Sequence, residues 1–197
     1  MGIAARLTPV KDIGTLIRAF AKAYEKNPRL QLRIAGTGED EEELRNLAEA
    51  LGVQERVEFA GWISDIQGFF ADVDINVLSS LSETFPYSLL EGAYEHCPAI
   101  ASRVGGIPSL ITHGENGFLF EAGDVDTLAE YIYRLSVDAD LRQVLAENLF
   151  RRAKNEFSLE NMKNKQEWAY QTIMKRQLNP KARQGAVICG AYGRGNA

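Results

Sequence analysis

Two glutamates eight positions apart, Glu83 and Glu91 in the stretch SLSETFPYSLLEGAY, are the residues of this chain best spaced for chemistry. Glu83 follows an apolar run, and Pro86 is placed to open a helix, because its fixed φ suits a first turn where its missing N–H is no loss. Glu91 then sits more than a turn into that helix and Glu83 just ahead of its amino end. Carboxylates so placed grip a polyhydroxylated ligand, since each accepts two hydroxyl donors. The same helix end offers unpaired amides to a phosphate. On spacing alone, Glu83 also reads as a capping acid and Glu91 as a surface helix residue.

Arg6 and Lys11 form a second group, in the run ARLTPVK directly after the first apolar segment. Two cations in one loop neutralise a diphosphate, arginine as a fork and lysine as a point charge. Without context they are equally an ordinary pair of solvated charges. The runs IAGTGED and VGGIP place glycines where backbone approaches a ligand closely or takes a positive φ. Gly36, Thr37 and Gly38 lack the full GxGxxG of a dinucleotide fingerprint, and Gly105 and Gly106 also fit an ordinary turn.

These residues need a frame that brings distant loops together. Short apolar runs at 2–5, 30–35, 57–61, 75–79, 99–102 and 117–120 alternate with helical patterns at 12–26, 39–51, 65–71, 87–96 and, weakly, 108–111. Such alternation predicts an α/β fold: a Rossmann-like parallel sheet of about six strands with helices on both faces. The strands read as apolar throughout, as expected when both faces are buried. Two further helical stretches, 125–155 (broken near 138–140) and 159–177, carry Asp124 and Ser158 as N-caps. Ligands of open α/β sheets sit beyond the carboxyl ends of the strands. All the residues singled out above lie in the strand-to-helix loops there or in the helix that follows one.

The formal net charge of −5 gives no basic field for a nucleic-acid partner. Two cysteines, Cys97 and Cys189, form neither a disulfide framework nor a metal-ligand spacing. No signal-peptide shape opens the chain, and no apolar run approaches the roughly 20 residues of a membrane span. A cytoplasmic chain is expected, with any contact at the inner face of a membrane made by parts not present here.

In order, ARLTPVKDIGTLIRAF, LQLRIAGTGEDEEEL, VEFAGWISD, INVLSSLSETFPYSLLEGA, PAIASRVGGIPSLI and GENGFLF resemble the donor-binding domain of retaining glycosyltransferases of family 4, one half of the paired-Rossmann GT-B fold. The resemblance covers about residues 2–177. It implies that Arg6 and Lys11 bind the donor diphosphate and stabilise the leaving nucleotide, that Glu91 holds the ribose hydroxyls, and that Glu83 contacts the transferred sugar and is catalytically important. It further implies that Thr84, Phe85, Pro86 and Tyr87 touch the sugar by their backbone. The amides of Ser88, Leu89 and Leu90 would face the phosphates, while Gly36, Trp62 and Ile63 border the nucleobase slot. The implied substrate is a nucleoside diphosphate sugar, with no cofactor and no metal. An acceptor-binding domain would precede this chain.

Three departures from the family pattern stand out. Asp12 replaces the common glycine after the lysine and is placed to cap the next helix. His96 stands where a helix-ending glycine is usual, which calls for a positive φ and a structural role. Ser109 replaces the frequent glutamate after GGIP. The apolar residues of 161–177 suit either contact with the absent domain or packing on their own. Residues 178–197 read as a disordered linker leading to the truncated start of another domain, and AVICGAYGRGN resembles the opening of polysaccharide pyruvyl transferases. That points to envelope or polysaccharide synthesis. Two other readings stay open: a sugar-nucleotide-binding module without turnover, and a sugar-nucleotide epimerase of similar architecture. The epimerase would need acid–base groups that His96 and His113 are poorly placed to supply.

Overall fold

A computed structural model of the chain describes residues 1–178, with side chains described through residue 174. Six parallel strands form one sheet: β1 (Gly2–Ala4), β2 (Leu32–Ala35), β3 (Val57–Gly61), β4 (Asn76–Leu78), β5 (Ala99–Ser102) and β6 (Phe118–Phe120). Their order is β3-β2-β1-β4-β5-β6. The chain builds outward from β1 to one edge, returns to the other side of β1 to lay down β4, and builds outward again. The loops after β1 and β4 therefore flank the point where winding reverses, which is where a crevice opens in folds of this type.

Eight helices accompany the strands among the described residues: α1 (Ile13–Lys26), α2 (Glu41–Ala50), α3 (Ile66–Ala71), α4 (Tyr87–Tyr94), α5 (Ile107–Leu110), α6 (Val125–Val137), α7 (Ala139–Glu156) and α8 (Leu159–Leu178). Alternate strand residues point to opposite faces. Ile3 and Ile34 pack into a core with Leu16, Ile17 and Phe20 of α1, Leu44 of α2 and Ile132 of α6. Ala4 and Ala35, the next residues along the same strands, pack instead with Phe69 and Phe70 of α3 and with Val73 and Cys97. The sheet is thus covered on both faces. Cys97 is a buried structural thiol, its Sγ donating to the Val73 carbonyl at 3.0 Å, and burial pushes its pKa up to about 12.

One expectation fails at the sheet's edge. β3 has a neighbour on one side only, and β2 and β3 are not apolar throughout: Arg33 and Glu58 face each other in register and bond at 3.0 Å. Charges on an edge strand are a common guard against unwanted pairing. The break between α6 and α7 falls at Asp138, whose extended backbone ends one helix while its Oδ1 accepts from the Leu141 amide at 2.9 Å to start the next. Asp124 caps α6 by accepting from the Thr127 amide at 3.0 Å.

The chain divides into two units, Met1–Glu156 and Phe157–Ala197. The first holds the sheet and α1 to α7. In the second, Ser158 Oγ accepts from the Asn161 amide at 3.3 Å at the start of α8, and Leu159, Met162, Trp168, Tyr170, Ile173 and Met174 are exposed along it. No helix of the described residues is long and apolar enough to cross a membrane. Apart from Leu178, which ends α8, the tail read from sequence as a linker and the start of another domain lies outside the described residues.

Candidate functional site

The loop after β1 is shaped by its neighbour. Leu7 is fully buried, its amide donates to the Thr37 carbonyl at 3.0 Å, and its own carbonyl accepts from Asp40 at 3.1 Å. The close fit explains Gly36: a Cβ there would stand 1.9 Å from the Ala5 carbonyl oxygen, and its φ is +133°. The glycine run after β2 therefore lets two loops lie against each other, besides bordering the cavity described below. Pro9, Val10 and Lys11 form a single 3-10 turn, after which Asp12 takes a left-handed φ of 45° and caps α1 through the Thr15 amide at 3.4 Å.

The loop after β4 is stitched to this turn. Leu81 donates its amide to the Val10 carbonyl at 2.8 Å, and Ser79 Oγ donates to the Lys11 carbonyl at 2.9 Å. The outcome is an ion pair between residues 72 positions apart: Lys11 Nζ donates to Glu83 Oε2 at 2.6 Å, with the two side chains only 22% and 14% exposed. A charge-assisted bond this short and this shielded is stronger than a surface pair. Arg6, by contrast, is exposed and makes no ion pair among the described residues.

α4 carries the second carboxylate. Pro86 is buried and stands at the N-cap; Leu89 is fully buried beneath the helix, so its side chain belongs to the core. The Leu89 and Leu90 amides both donate to the Pro86 carbonyl, at 3.1 and 3.3 Å, which leaves Ser88 as the residue of that trio whose amide is not so engaged. Tyr87 is exposed and packs edge-on with Phe85 at 5.1 Å between ring centres. The helix is fixed from below by Asn76 of β4, whose Nδ2 donates to the Ser88 carbonyl at 2.9 Å. Sequence reasoning missed Asn76. An amide inside an otherwise apolar strand was the available signal, because a buried polar group must find a partner.

Arg6, Gly36, Trp62, Ile63 and Glu91 meet around one cavity of about 470 Å³, joined there by Ser64 and Ile66. The volume suits a small-molecule ligand. Trp62 is 80% exposed at its rim. Partial burial of the Glu91 carboxyl pushes its pKa above the ordinary value, although the residue as a whole is exposed. Lys11 and Glu83 do not line this cavity; they are joined to it through the loop that also carries Arg6. A larger hollow of about 590 Å³, lined by His96, Arg142 and Glu147, opens at the amino ends of β4 and β5, away from every strand-to-helix loop. It has no part in this site. His96 stacks on Phe150 at 4.2 Å, and His113 Nδ1 accepts from the Leu119 amide, so neither histidine faces the cavity. Among the described residues no cluster of three or more His, Cys, Asp or Glu is arranged to hold a metal ion.

A six-stranded parallel sheet with this crevice is a Rossmann-like half of the GT-B architecture. The profile of the glycosyl transferases group 1 family matches residues 1–152, and the chain belongs to that family. It is 36% identical over 155 residues to LpsE, a lipopolysaccharide core biosynthesis glycosyltransferase of Rhizobium meliloti, covering 79% of this chain and 44% of that protein. The Anabaena protein HepE, solved in complex with UDP, aligns with a TM-score of 0.79 at 27% identity over 86% of this chain and 48% of its own. The C-terminal domain of LpcC, a group 1 family protein from Francisella tularensis, aligns with a TM-score of 0.75 at 26% identity over 80% of this chain and 85% of that domain. The chain thus spans less than half of LpsE and most of the solved C-terminal domain, and it corresponds to the C-terminal domain of a group 1 glycosyltransferase.

Proposed function

We propose that this chain is the donor-binding domain of a retaining glycosyltransferase that takes a hexose from a nucleoside diphosphate sugar, in the synthesis of a polysaccharide or envelope glycan. The observation that carries the reading is the convergence of Arg6 and Glu91 on one 470 Å³ cavity beside the paired Lys11 and Glu83. A nucleoside diphosphate sugar has a flat base, a diol, a diphosphate and a polyol in a row. On this reading the cavity offers Trp62, Ile63 and Gly36 for the base, Glu91 for the ribose hydroxyls and Arg6 for the diphosphate, with Lys11 reaching the diphosphate from the same loop as Arg6. Glu83 and the backbone of Thr84, Phe85, Pro86 and Tyr87 meet the sugar, and the Ser88 amide at the start of α4 adds a donor towards phosphate. HepE, at 27% identity, was solved with UDP, which favours a uridine donor among the candidates.

Transfer on this reading is electrostatic. The bond from the anomeric carbon to the diphosphate oxygen breaks with its electron pair going to the diphosphate. The acceptor oxygen bonds to the same carbon on the same face, and the acceptor proton passes to the departing diphosphate. Arg6 and Lys11 stabilise the charge that develops on that group, Lys11 being held in place by Glu83 before the reaction begins. The acceptor comes from a part of the protein outside this chain, so the chain alone binds donor without turnover. No histidine faces the cavity to act as an acid–base pair, which disfavours the epimerase reading.

Calorimetric titration of the 197-residue chain with UDP, GDP and ADP tests the assignment, alongside Glu91→Ala. One nucleotide is expected to bind, and the variant to bind it about tenfold more weakly, as expected for loss of a charged hydrogen-bond acceptor. Equal binding by variant and wild type would remove Glu91 from the site.

A further inference from the structure

Lys11 and Glu83 were read from sequence as two groups with separate duties, one for phosphate and one for sugar. In the chain they hold each other at 2.6 Å. We propose that Glu83 makes the site discriminate against the spent donor: it weakens binding of the free nucleoside diphosphate relative to the nucleoside diphosphate sugar, and so favours release of the product. The inference rests on the donor-site reading above and specifies how that site tells its two nucleotide ligands apart.

Three features carry it. The cations are unequal: Arg6 is exposed and unpaired among the described residues, whereas Lys11 already has a carboxylate on it, so a phosphate arriving at Lys11 meets an anion in place. That anion cannot withdraw with its backbone. The Glu83 carbonyl accepts from the Gly106 amide at 2.9 Å, and the backbone of Gly105 passes so near that a Cβ there would stand 1.7 Å from the same oxygen. Finally, the pair is mostly shielded from water, so the like-charge repulsion is less screened than it would be at a surface.

The two ligands differ in what they bring to this pair. A nucleoside diphosphate sugar carries hydroxyls beside its second phosphate, and those donate to Glu83 while the phosphate takes part of Lys11. Free nucleoside diphosphate has no such hydroxyls. Its terminal phosphate has a second pKa near 6, so at neutral pH it carries roughly one more negative charge. Carboxylate and phosphate then compete for one lysine with nothing to hold them apart. Glu83 is in this sense a specificity residue: its charge is tolerated when the sugar is present and opposed once the sugar has gone.

The test is calorimetry on the 197-residue chain and Glu83→Gln, with UDP, GDP, ADP and the glucose conjugate of each. For the base that binds, the variant is expected to hold the free diphosphate about three- to tenfold more tightly, the range of a partly exposed charge pair. It should hold the glucose conjugate no more tightly than wild type. The tightening should be larger at pH 7.5 than at pH 5.5, as the terminal phosphate completes its ionisation. Should the amide variant fail to fold by circular dichroism, Glu83→Ala gives the same comparison. A variant that binds the free diphosphate no tighter, or tightens both ligands equally, overturns the proposal while leaving the donor site standing. Failure of the folded wild-type chain to bind any of the six overturns the donor-site reading and this proposal with it.

Discussion

The Gly106 amide donates to the Glu83 carbonyl oxygen at 2.9 Å, so the loop after β5 holds the backbone of the residue whose carboxylate holds Lys11. Three separate loops are locked at this one residue.

Gly105→Ala is expected to break that lock. Its φ is +50°, and the added methyl would lie 1.7 Å from the Glu83 carbonyl oxygen, which the Gly106 amide holds. Strain of this kind costs about 1–3 kcal/mol before any displacement of the loop. Gly123→Ala is the control, since its φ of +81° is as unfavourable but nothing lies within 4 Å of its Cβ. Urea unfolding should show Gly105→Ala losing clearly more stability than Gly123→Ala, and nucleotide affinity should fall in the first alone. Equal losses would mean that the loop yields easily.

His96 holds a left-handed φ of 53° at the end of α4 while stacking on Phe150 at 4.2 Å and approaching Glu147 at 3.5 Å. The backbone prefers glycine here, and the side chain prefers histidine. His96→Ala loses the contacts and keeps the strain; His96→Gly loses the contacts and relieves it. The alanine variant should therefore be less stable than the glycine variant by about 1 kcal/mol, measured by thermal or urea unfolding. Neither should alter nucleotide binding, because His96 lies at the amino ends of the strands and the site at their carboxyl ends.

Glu91 gives a pH dependence with a definite sign. Burial raises its carboxyl pKa in the folded chain, so the native state holds its proton to higher pH than the unfolded chain does. The stability this contributes is fully present below the unfolded value and is lost as pH rises through the raised folded one. Glu91→Gln cannot lose it. The variant should gain on the wild type as pH rises from about 4 upward and level off once Glu91 is fully ionised in both states. Urea unfolding of both proteins at steps across that range measures the difference, and a difference that stays flat would show the carboxyl to be unperturbed.

Much of the frame was legible because burial leaves a plain trace in sequence. All six apolar runs became strands, and the eight helices lie where the helical patterns and caps placed them, with Asp138 breaking the long one. What remained hidden was relational. Arg33 and Glu58 each look like an interruption of an apolar strand until the register shows them opposite one another. The glycines of IAGTGED and VGGIP were read as close approaches to a ligand or as positive-φ positions; Gly36 and Gly105 do take positive φ, but the atoms nearest to them are carbonyl oxygens of neighbouring loops, which no local motif announces. Lys11 and Glu83 were each picked out for the site, but nothing in either local motif says that they are bonded. Such pairings follow from strand order, and strand order leaves no mark in any short window of sequence.

The strand order also sets a schedule. β1, β2 and β3 are neighbours in the chain and in the sheet, so they can assemble as they emerge. β4 must instead cross back over everything made before it to reach β1, closing a loop of some seventy residues, and only then does Glu83 come within reach of Lys11. A growing or truncated chain that ends short of β4 therefore has Lys11 without its carboxylate partner. Until the fold is complete, Lys11 is a cation open to any anion at hand, and the finished crossover closes it with one that cannot diffuse away.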